Sequence, residues 1–263
     1  AEYEPIPIVD PFPLHKAPYH EIAKAVALIN ESRRPYIYVG GGAAGLGLGE
    51  KVIELAEKID ACIGCTFMGL SAIPSDFERF LGMQGMHGTF AASRAMAEAD
   101  VIIALGVRFS DRATGNKKKF AHSARIIHID IEPAELGKNI PAYLGIIADV
   151  KKTLQTINGK VKEKKCDEWK AKVKKKKKRS ENENFNPDDM RPFQIIDCVK
   201  KYAEHDTVIA TDVGQHQMWT AQRYKFEKPR TFVTSGGLGT MGYGLGAAIG
   251  AAKGSGQKTV LFT

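Results

Sequence analysis

The sequence predicts an α/β protein: a doubly wound parallel-sheet domain followed by a second, incomplete α/β domain. Three observations carry this expectation. Short runs such as residues 36–39 and 101–105 are apolar without interruption, as strands covered on both faces are. Between these runs lie segments whose apolar residues recur at helical spacing, and several strand ends carry glycine-rich turns.

Each element follows in chain order. Residues 1–14 contain Pro5, Pro7, Pro11 and Pro13, a density that forbids helix and predicts an extended linker. A chain that opens on Ala1 and such a linker is expected to be an internal piece of something longer. From Pro18 onward Ile22, Ala25, Val26 and Ile29 recur at helical spacing until Pro35 stops the pattern. A strand at 36–39 then leads through the glycines at 40–45 into a helix carrying Val52, Ile53, Leu55, Ala56 and Ile59. The alternation continues with a strand at 61–66, a helix near 89–97, strands at 101–105, 125–131 and 144–147, and a helix from Val150. This first domain is expected over residues 15–157.

From 158 to 190 the hydrophobic pattern gives way to lysines, among them the unbroken run at 174–178, and a charged linker is expected. Beyond it Pro192 suits the first turn of a helix reaching Ala203. A strand at 207–210, another helix, a strand at 231–233, a glycine-rich stretch at 235–251 and a strand at 259–262 complete the chain. The domain at 191–263 breaks off on a strand, so its sheet is expected to be truncated.

Composition narrows the function classes. Hydrophobic residues at 43% and charged residues at 26% of the 263 suit a globular domain protein. The net charge of +8 comes from the lysine-rich segment, which lacks the interleaved aromatics that stack on bases; it reads as a solvated face, with no nucleic-acid partner. No apolar run reaches the roughly 18 to 20 residues that span a bilayer, and no basic-then-apolar leader is present, so a cytoplasmic protein without a membrane partner is expected. Cys62 and Cys65 form a formal C-x-x-C, but no second pair and no spaced histidine pair accompany it. The segment reads as a buried strand with two small, apolar-behaving cysteines, and no metal site is assigned.

Gly40, Gly42 and Gly45 satisfy G-x-G-x-x-G between a strand and a helix, the context in which a dinucleotide diphosphate rests on a helix N-terminus. Nicotinamide binding also wants an acid at the end of the second strand, where Thr66, Phe67 and Met68 stand instead. Further strand ends carry Gly85, Met86 and His87; Gly106, Arg108 and Arg112; Asp130 and Ile131; and Asp149. Two arginines suit phosphate oxygens and a carboxylate suits ribose hydroxyls, while His87 equally suits a structural role and Asp130 and Asp149 equally suit helix capping. In the second domain Gly214 opens a helix whose free N–H groups face an anion, with Gln215 and His216 as side-chain donors. The glycines at 236–244 admit close backbone approach to a flat ligand or close helix packing, and the sequence leaves both open.

VGQHQMW at 213–219 together with TSGGLGTMGYGLGAAIGA at 234–251 resembles the diphosphate-side domain of thiamine diphosphate enzymes. With GMHGT at 85–89, GVRFSDR at 106–112 and HIDIEPAE at 128–135, the chain is similar to the acetolactate (acetohydroxyacid) synthase catalytic-subunit family from about residue 15 to its end. The resemblance implies three α/β domains, of which this chain carries the central, DHS-like, FAD-binding domain and the first part of the thiamine diphosphate domain. It implies a structural, non-redox FAD held by Gly40, Gly41, Gly42, Thr66, Met68, Gly85, Met86, His87, Gly106, Arg108, Arg112, Asp130, Ile131 and Asp149. It implies thiamine diphosphate against Val213, Gly214, Gln215, His216, Gly239 and Met241, with Gln215, His216 and Met241 closest to the catalysis and Met241 as the buttress that bends the cofactor.

The implied activity is decarboxylation of pyruvate and condensation with a second 2-keto acid, pyruvate or 2-ketobutyrate, in branched-chain amino-acid synthesis. The implied partners are a homodimer or homotetramer of the full-length chain and a regulatory small subunit. An Mg2+ site is implied just beyond Thr263, and an activating glutamate in an N-terminal domain, so the isolated chain is expected not to turn over. The chain departs from the family pattern at Ser110-Asp111, where two acids are usual, at Gly246, where proline is common, and at the Cys62/Cys65 pair. Two rival readings are another thiamine diphosphate carboligase or decarboxylase and a non-catalytic dinucleotide-binding module; VGQHQMW and the second glycine stretch speak against the latter.

Overall fold

The computed structural model describes residues 16–45, 47–182 and 191–263. The linker expected at 1–14, and residues 183–190 of the expected charged linker, lie outside the described residues. Helix α1 (Tyr19–Glu31) buries Ile22, Ala25, Leu28 and Ile29 at the spacing that predicted it. There follow β1 (Pro35–Val39), α2 (Leu48–Ile59), β2 (Cys62–Cys65), β3 (Phe80–Met83), α3 (Phe90–Glu98) and β4 (Val101–Leu105). The first unit is completed by the short α4 (Asp111–Thr114), β5 (Arg125–Asp130), β6 (Leu144–Ile147) and α5 (Val150–Asn158).

These strands form a parallel sheet in the order β3-β2-β1-β4-β5-β6. The order reverses between β1 and β4, and a crevice at the carboxyl ends of two such strands is where open α/β sheets bind ligands. Successive strand residues point to opposite faces, and both faces are dry. One carries Ile37, Val39, Ile63, Ile103, Leu105, Ile127 and Ile129 under α1, α2 and α5. The other carries Tyr36, Tyr38, Ile102, Ala104 and Ile126 under α3. This double burial is why the strands read as unbroken apolar runs.

The charged segment after α5 requires a correction. Its described part is dominated by helix α6 (Asp167–Asn182), which packs along α3 and completes the second face of the sheet. Trp169 and Val173, one helical turn apart, are buried, and Trp169 Nε1 donates to Pro35 O at 3.1 Å. Lys172 and Lys176 reach Glu98 on α3 at 2.7 and 2.9 Å. Two apolar residues among lysines were too sparse to register as a periodic stripe, yet lysine is a good helix former and two anchors suffice to dock the helix.

The second unit contains α7 (Pro192–Tyr202), β7 (Val208–Thr211), α8 (Gln215–Arg223), β8 (Phe232–Val233), α9 (Tyr243–Ser255) and β9 (Thr259–Phe262). Its parallel sheet runs β8-β7-β9. The units touch through Phe226, buried and exchanging hydrogen bonds with Ser75, and through the edge-to-face pair Phe67–Phe232 at 5.5 Å. Among the described residues no helix is long and apolar enough to cross a membrane.

Candidate functional site

The sheet reversal point carries the first glycine turn. Gly40 N–H donates to Leu105 O at 2.9 Å and Gly42 N–H to Gly106 O at 3.2 Å, stitching the ends of β1 and β4 together. A Cβ at residue 40 would lie 1.9 Å from Gly106 O, so this turn exists only with glycine there. Gly106 itself turns at φ 58°, which brings its Cα against Gly42.

Above this turn opens a cleft of about 1300 Å³. From the first unit it is lined by Gly41, Gly42 and Gly106, by Thr66 and Met68 after β2, by Met86 and His87 before α3, by Arg108 and Arg112, and by Asp130 at the end of β5. Four residues expected at the flavin stand outside this lining. Gly40 lies within the turn, Gly85 packs on the backbone of Arg112, Ile131 is half exposed, and Asp149 caps α5 by accepting from Lys152 N–H at 2.7 Å. For Asp149 the capping role, open in the sequence, is therefore present.

Asp130 is mostly buried and its Oδ1 accepts from Glu132 N–H at 3.0 Å. Burial pushes its carboxyl up, but the neighbouring His128 and the N–H groups of Glu132 and Ile131 outweigh that and hold it below the usual carboxylate range. It is thus an anionic acceptor at a strand end, suited to hydroxyl donors. His128 is fully buried and stands edge-on to Phe109 at 5.1 Å, with Nε2 3.8 Å from Asp130 Oδ2.

The second unit supplies the opposite wall through Val213, Gln217, Arg230 and residues 232–239. Asp212, just past β7, organises it: its carboxylate accepts from Val213 N–H at 2.7 Å, Gly242 N–H at 3.0 Å and Gly244 N–H at 3.0 Å. Those three donors hold its carboxyl below the usual range. One side chain thereby fastens the turn before α8 to the turn before α9, and Gly242 makes its turn at φ 88°, a conformation that favours glycine. Gln217 Nε2 donates to Thr234 Oγ1, which also pairs with Thr211 Oγ1, both at 2.7 Å.

Of the residues expected at thiamine diphosphate, Val213 and Gly239 line the cleft, whereas Gly214, Gln215, His216 and Met241 do not. Gly214 and Gln215 are exposed at the start of α8, His216 Nε2 is buried without a partner, and Met241 is 80% exposed. Gln84, Glu132, Glu135, Gln217 and Arg230 line the cleft without having been singled out. Of these Glu132 and Glu135 were legible within HIDIEPAE. Arg230 had no local signal, because its place depends on how the two units meet.

The residues fit a dinucleotide: a close-approach glycine turn at the strand reversal, two arginines, and a buried carboxylate at a strand end face one cleft. They also fit a diphosphate cofactor next to the second wall, where α8 opens after Val213 with Gly214 and Gln215 exposed. They do not by themselves fit a divalent cation, since the described residues hold no group of three or more His, Cys, Asp or Glu placed to bind one.

Comparison with known proteins finds two family matches along the chain. Residues 22–157 match the family described as thiamine pyrophosphate enzyme, central domain, and residues 212–263 match thiamine pyrophosphate enzyme, C-terminal TPP binding domain. The chain is 42% identical over 246 residues to the acetolactate synthase large subunit of Buchnera aphidicola subsp. Schlechtendalia chinensis, covering 90% of this chain and 43% of that protein. It is 44% identical over 243 residues to the probable acetolactate synthase large subunit of Methanocaldococcus jannaschii, covering 88% and 41%. It is 42% identical over 248 residues to the chloroplastic acetolactate synthase 2 of Zea mays, covering 91% and 38%. The chain therefore spans about two fifths of the length of these relatives.

Proposed function

The chain belongs to the thiamine pyrophosphate enzyme family, and on that premise we propose that it is the central and part of the C-terminal domain of an acetolactate synthase catalytic subunit. The full protein would decarboxylate pyruvate and join it to pyruvate or 2-ketobutyrate, giving 2-acetolactate or 2-aceto-2-hydroxybutyrate for branched-chain amino-acid synthesis. It would act in the cytoplasm as a homodimer or homotetramer with a regulatory small subunit, using thiamine diphosphate, Mg2+ and FAD. One observation carries this reading: the cleft at the strand reversal of the first sheet is walled on its far side by the second unit's glycine loop and by Val213, the residue before the turn into α8, so a dinucleotide in the cleft and a second cofactor at α8 would be neighbours.

In this reading Gly41, Gly42 and Gly106 would hold FAD, with Arg108 and Arg112 suited to its phosphates and Asp130 to its hydroxyls. Its role would be structural, filling the cleft between the units. The N-terminus of α8, with Gln215 and His216 in its first turn, would hold the second cofactor's diphosphate. When bound, thiamine diphosphate supplies the carbanion chemistry by which one 2-keto acid loses CO2 and adds to another. Met241 is the one large side chain between Gly239 and Gly242, and at 80% exposure it is free to pack under a ligand and orient it. Asp212 holds that loop in place and is already committed to three N–H donors, which is why no step is assigned to it. No described residue of this chain is assigned to the divalent cation.

The test is acetolactate formation by the full-length protein. Product should appear from pyruvate only with thiamine diphosphate and a divalent metal present, and Met241→Ala should lower turnover at least about tenfold, on the order of 1.4 kcal/mol of barrier. Product without added thiamine diphosphate after exhaustive dialysis would overturn the assignment, and undiminished turnover would remove the role of Met241.

A further inference from the structure

Behind the cofactor cleft lies a buried histidine that the proposed function does not use. His128 stands on β5 in a row that crosses the first sheet in register: Gly64, Tyr38, Ala104, His128 and Gly145. Small residues alternate with large ones along this row, and the ring of Phe109 reaches both large ones, 5.9 Å from that of Tyr38 and 5.1 Å from that of His128. Phe109 takes φ 47°, a left-handed value uncommon for a bulky side chain. Its ring is buried against His128, while its neighbour Arg108 lines the cleft.

His128 is fully buried, and neither ring nitrogen has a hydrogen-bond partner among the described residues. Burying polar atoms in this way is destabilising, and a phenylalanine would fill the same aromatic surroundings without that cost. What the imidazole adds is a nitrogen aimed along its own strand: Nε2 stands 3.8 Å from Oδ2 of Asp130, on the same face of β5. A ring tilt of about 1 Å brings that contact to hydrogen-bond length. Oδ1 of Asp130 is already fixed by Glu132 N–H at 3.0 Å. Each carboxylate oxygen thus has one inner neighbour and keeps lone pairs for the cleft that Asp130 lines. The charged groups that share this cleft are Arg108, Asp111 and Arg112 after β4 and Glu132 and Glu135 after β5, while β6 sets the uncharged Ile147 beside Asp130. On the buried side, burial pushes the Tyr38 phenol up and so keeps it uncharged.

We propose that His128 is a positioning residue for the cleft: a proton on Nε2 holds the Asp130 carboxylate in the orientation in which it accepts from a ligand's hydroxyl groups. The ligand side of this rests on the reading of the cleft as a flavin site, whereas the hold of His128 on Asp130 does not. His128 touches no ligand itself and acts only through Asp130.

Variants of the 263-residue chain separate these roles. His128→Phe keeps the ring and loses the N–H, His128→Gln keeps a donor near the place of Nε2, and Asp130→Asn removes the charge. If His128→Phe does not melt cooperatively, the smaller His128→Leu takes its place. Carbon-13 NMR of the flavin-free chain follows the Asp130 carboxyl directly. It should titrate below the usual carboxylate range in the parent chain and in His128→Gln, and move up in His128→Phe, where burial is opposed by fewer partners. Affinity for FAD, read from flavin fluorescence, should fall at least about tenfold in His128→Phe and stay within about threefold of the parent in His128→Gln. In the Asp130→Asn background, His128→Phe should cause no further loss. An Asp130 titration indifferent to His128→Phe overturns the proposal, as does a full further loss of affinity in the Asp130→Asn background. A parent chain that shows the Asp130 shift and takes up no FAD refutes the flavin reading instead, and leaves the hold of His128 on Asp130 established.

Discussion

Gly40→Ala and Gly41→Ala are neighbouring changes of identical size that should fail for different reasons. A methyl at residue 40 would meet Gly106 O at 1.9 Å, Gly106 C at 2.6 Å and Val107 Cα at 2.9 Å, all of them backbone atoms. To restore ordinary contact the ends of β1 and β4 must part by ~1.5 Å, across the two hydrogen bonds that join them there. Overpacking of this kind costs roughly 1–3 kcal/mol, and a lost backbone hydrogen bond adds about 1 kcal/mol. A total of about 2–4 kcal/mol lowers the melting temperature by roughly 5–15 °C in a chain of this size. At residue 41 the methyl meets Met68 Cβ at 3.0 Å, a neighbour at the cleft edge that need yield only tenths of an ångström. Stability there should change by less than about 1 kcal/mol, but the methyl projects into the cleft proposed for FAD. Urea unfolding of flavin-free protein, paired with flavin absorbance after reconstitution, separates the two. An unshifted midpoint for Gly40→Ala refutes the close-approach argument, and full flavin retention by Gly41→Ala refutes the placement of FAD.

Two further outcomes follow from the packing. Trp169→Ala removes a buried indole and its hydrogen bond to Pro35 O, and should cost about 3–5 kcal/mol; trypsin should then cut α6 early, and an unchanged cleavage rate would mean that α6 is not held by this anchor. Asp60 is buried, which pushes its carboxyl up, but Cys166 N–H and Arg79 more than offset that and hold it below the usual range. A depressed folded value gives stability that is present above the unfolded value near pH 4 and is lost as pH falls through the folded value. Asp60→Asn should therefore lose stability at neutral pH and show a shallower decline below about pH 4; parallel acid-unfolding curves would count against this linkage.

Sequence and structure agree best where burial is two-sided. β1 and β4 were legible because every residue is covered and apolar, whereas β5 was read across a single buried His128 and β6 from a short apolar run of which only Ile146 is fully buried. β3 was not read, because Phe80–Met83 is short and is broken by Gly82 at φ 90°, and its register against β2 shifts. The strand order, which places the cleft, had no local signature at all. It arises from which helices cross to which face, a property of pairs of elements distant in sequence. The same holds for α6, whose Trp169 and Lys176 matter only because Pro35 and Glu98 wait for them from other parts of the chain. The lining of the cleft divides along this line too: most of its residues from the first unit stand in glycine-marked turns, whereas Arg230 comes in only through the meeting of two units.

The second glycine stretch shows why composition alone left its role open. A Cβ at Gly236 would lie 2.2 Å from Met68 Sδ, so this glycine lets the second unit seat against the first. A Cβ at Gly244 would lie 2.8 Å from Asp212 N, so this one lets α9 begin against the end of β7. Gly239, between them, lines the cleft, and Met241 projects from the same loop into solvent. Close packing and access to the cleft are thus separate properties of neighbouring positions. The packing glycines fix where the loop sits, and only because they fix it does Gly239 reach the cleft and Met241 stand clear of its own chain. Alanine at 236 or 244 should accordingly disturb ligand binding without either residue touching a ligand, an effect that a list of contacts would misassign.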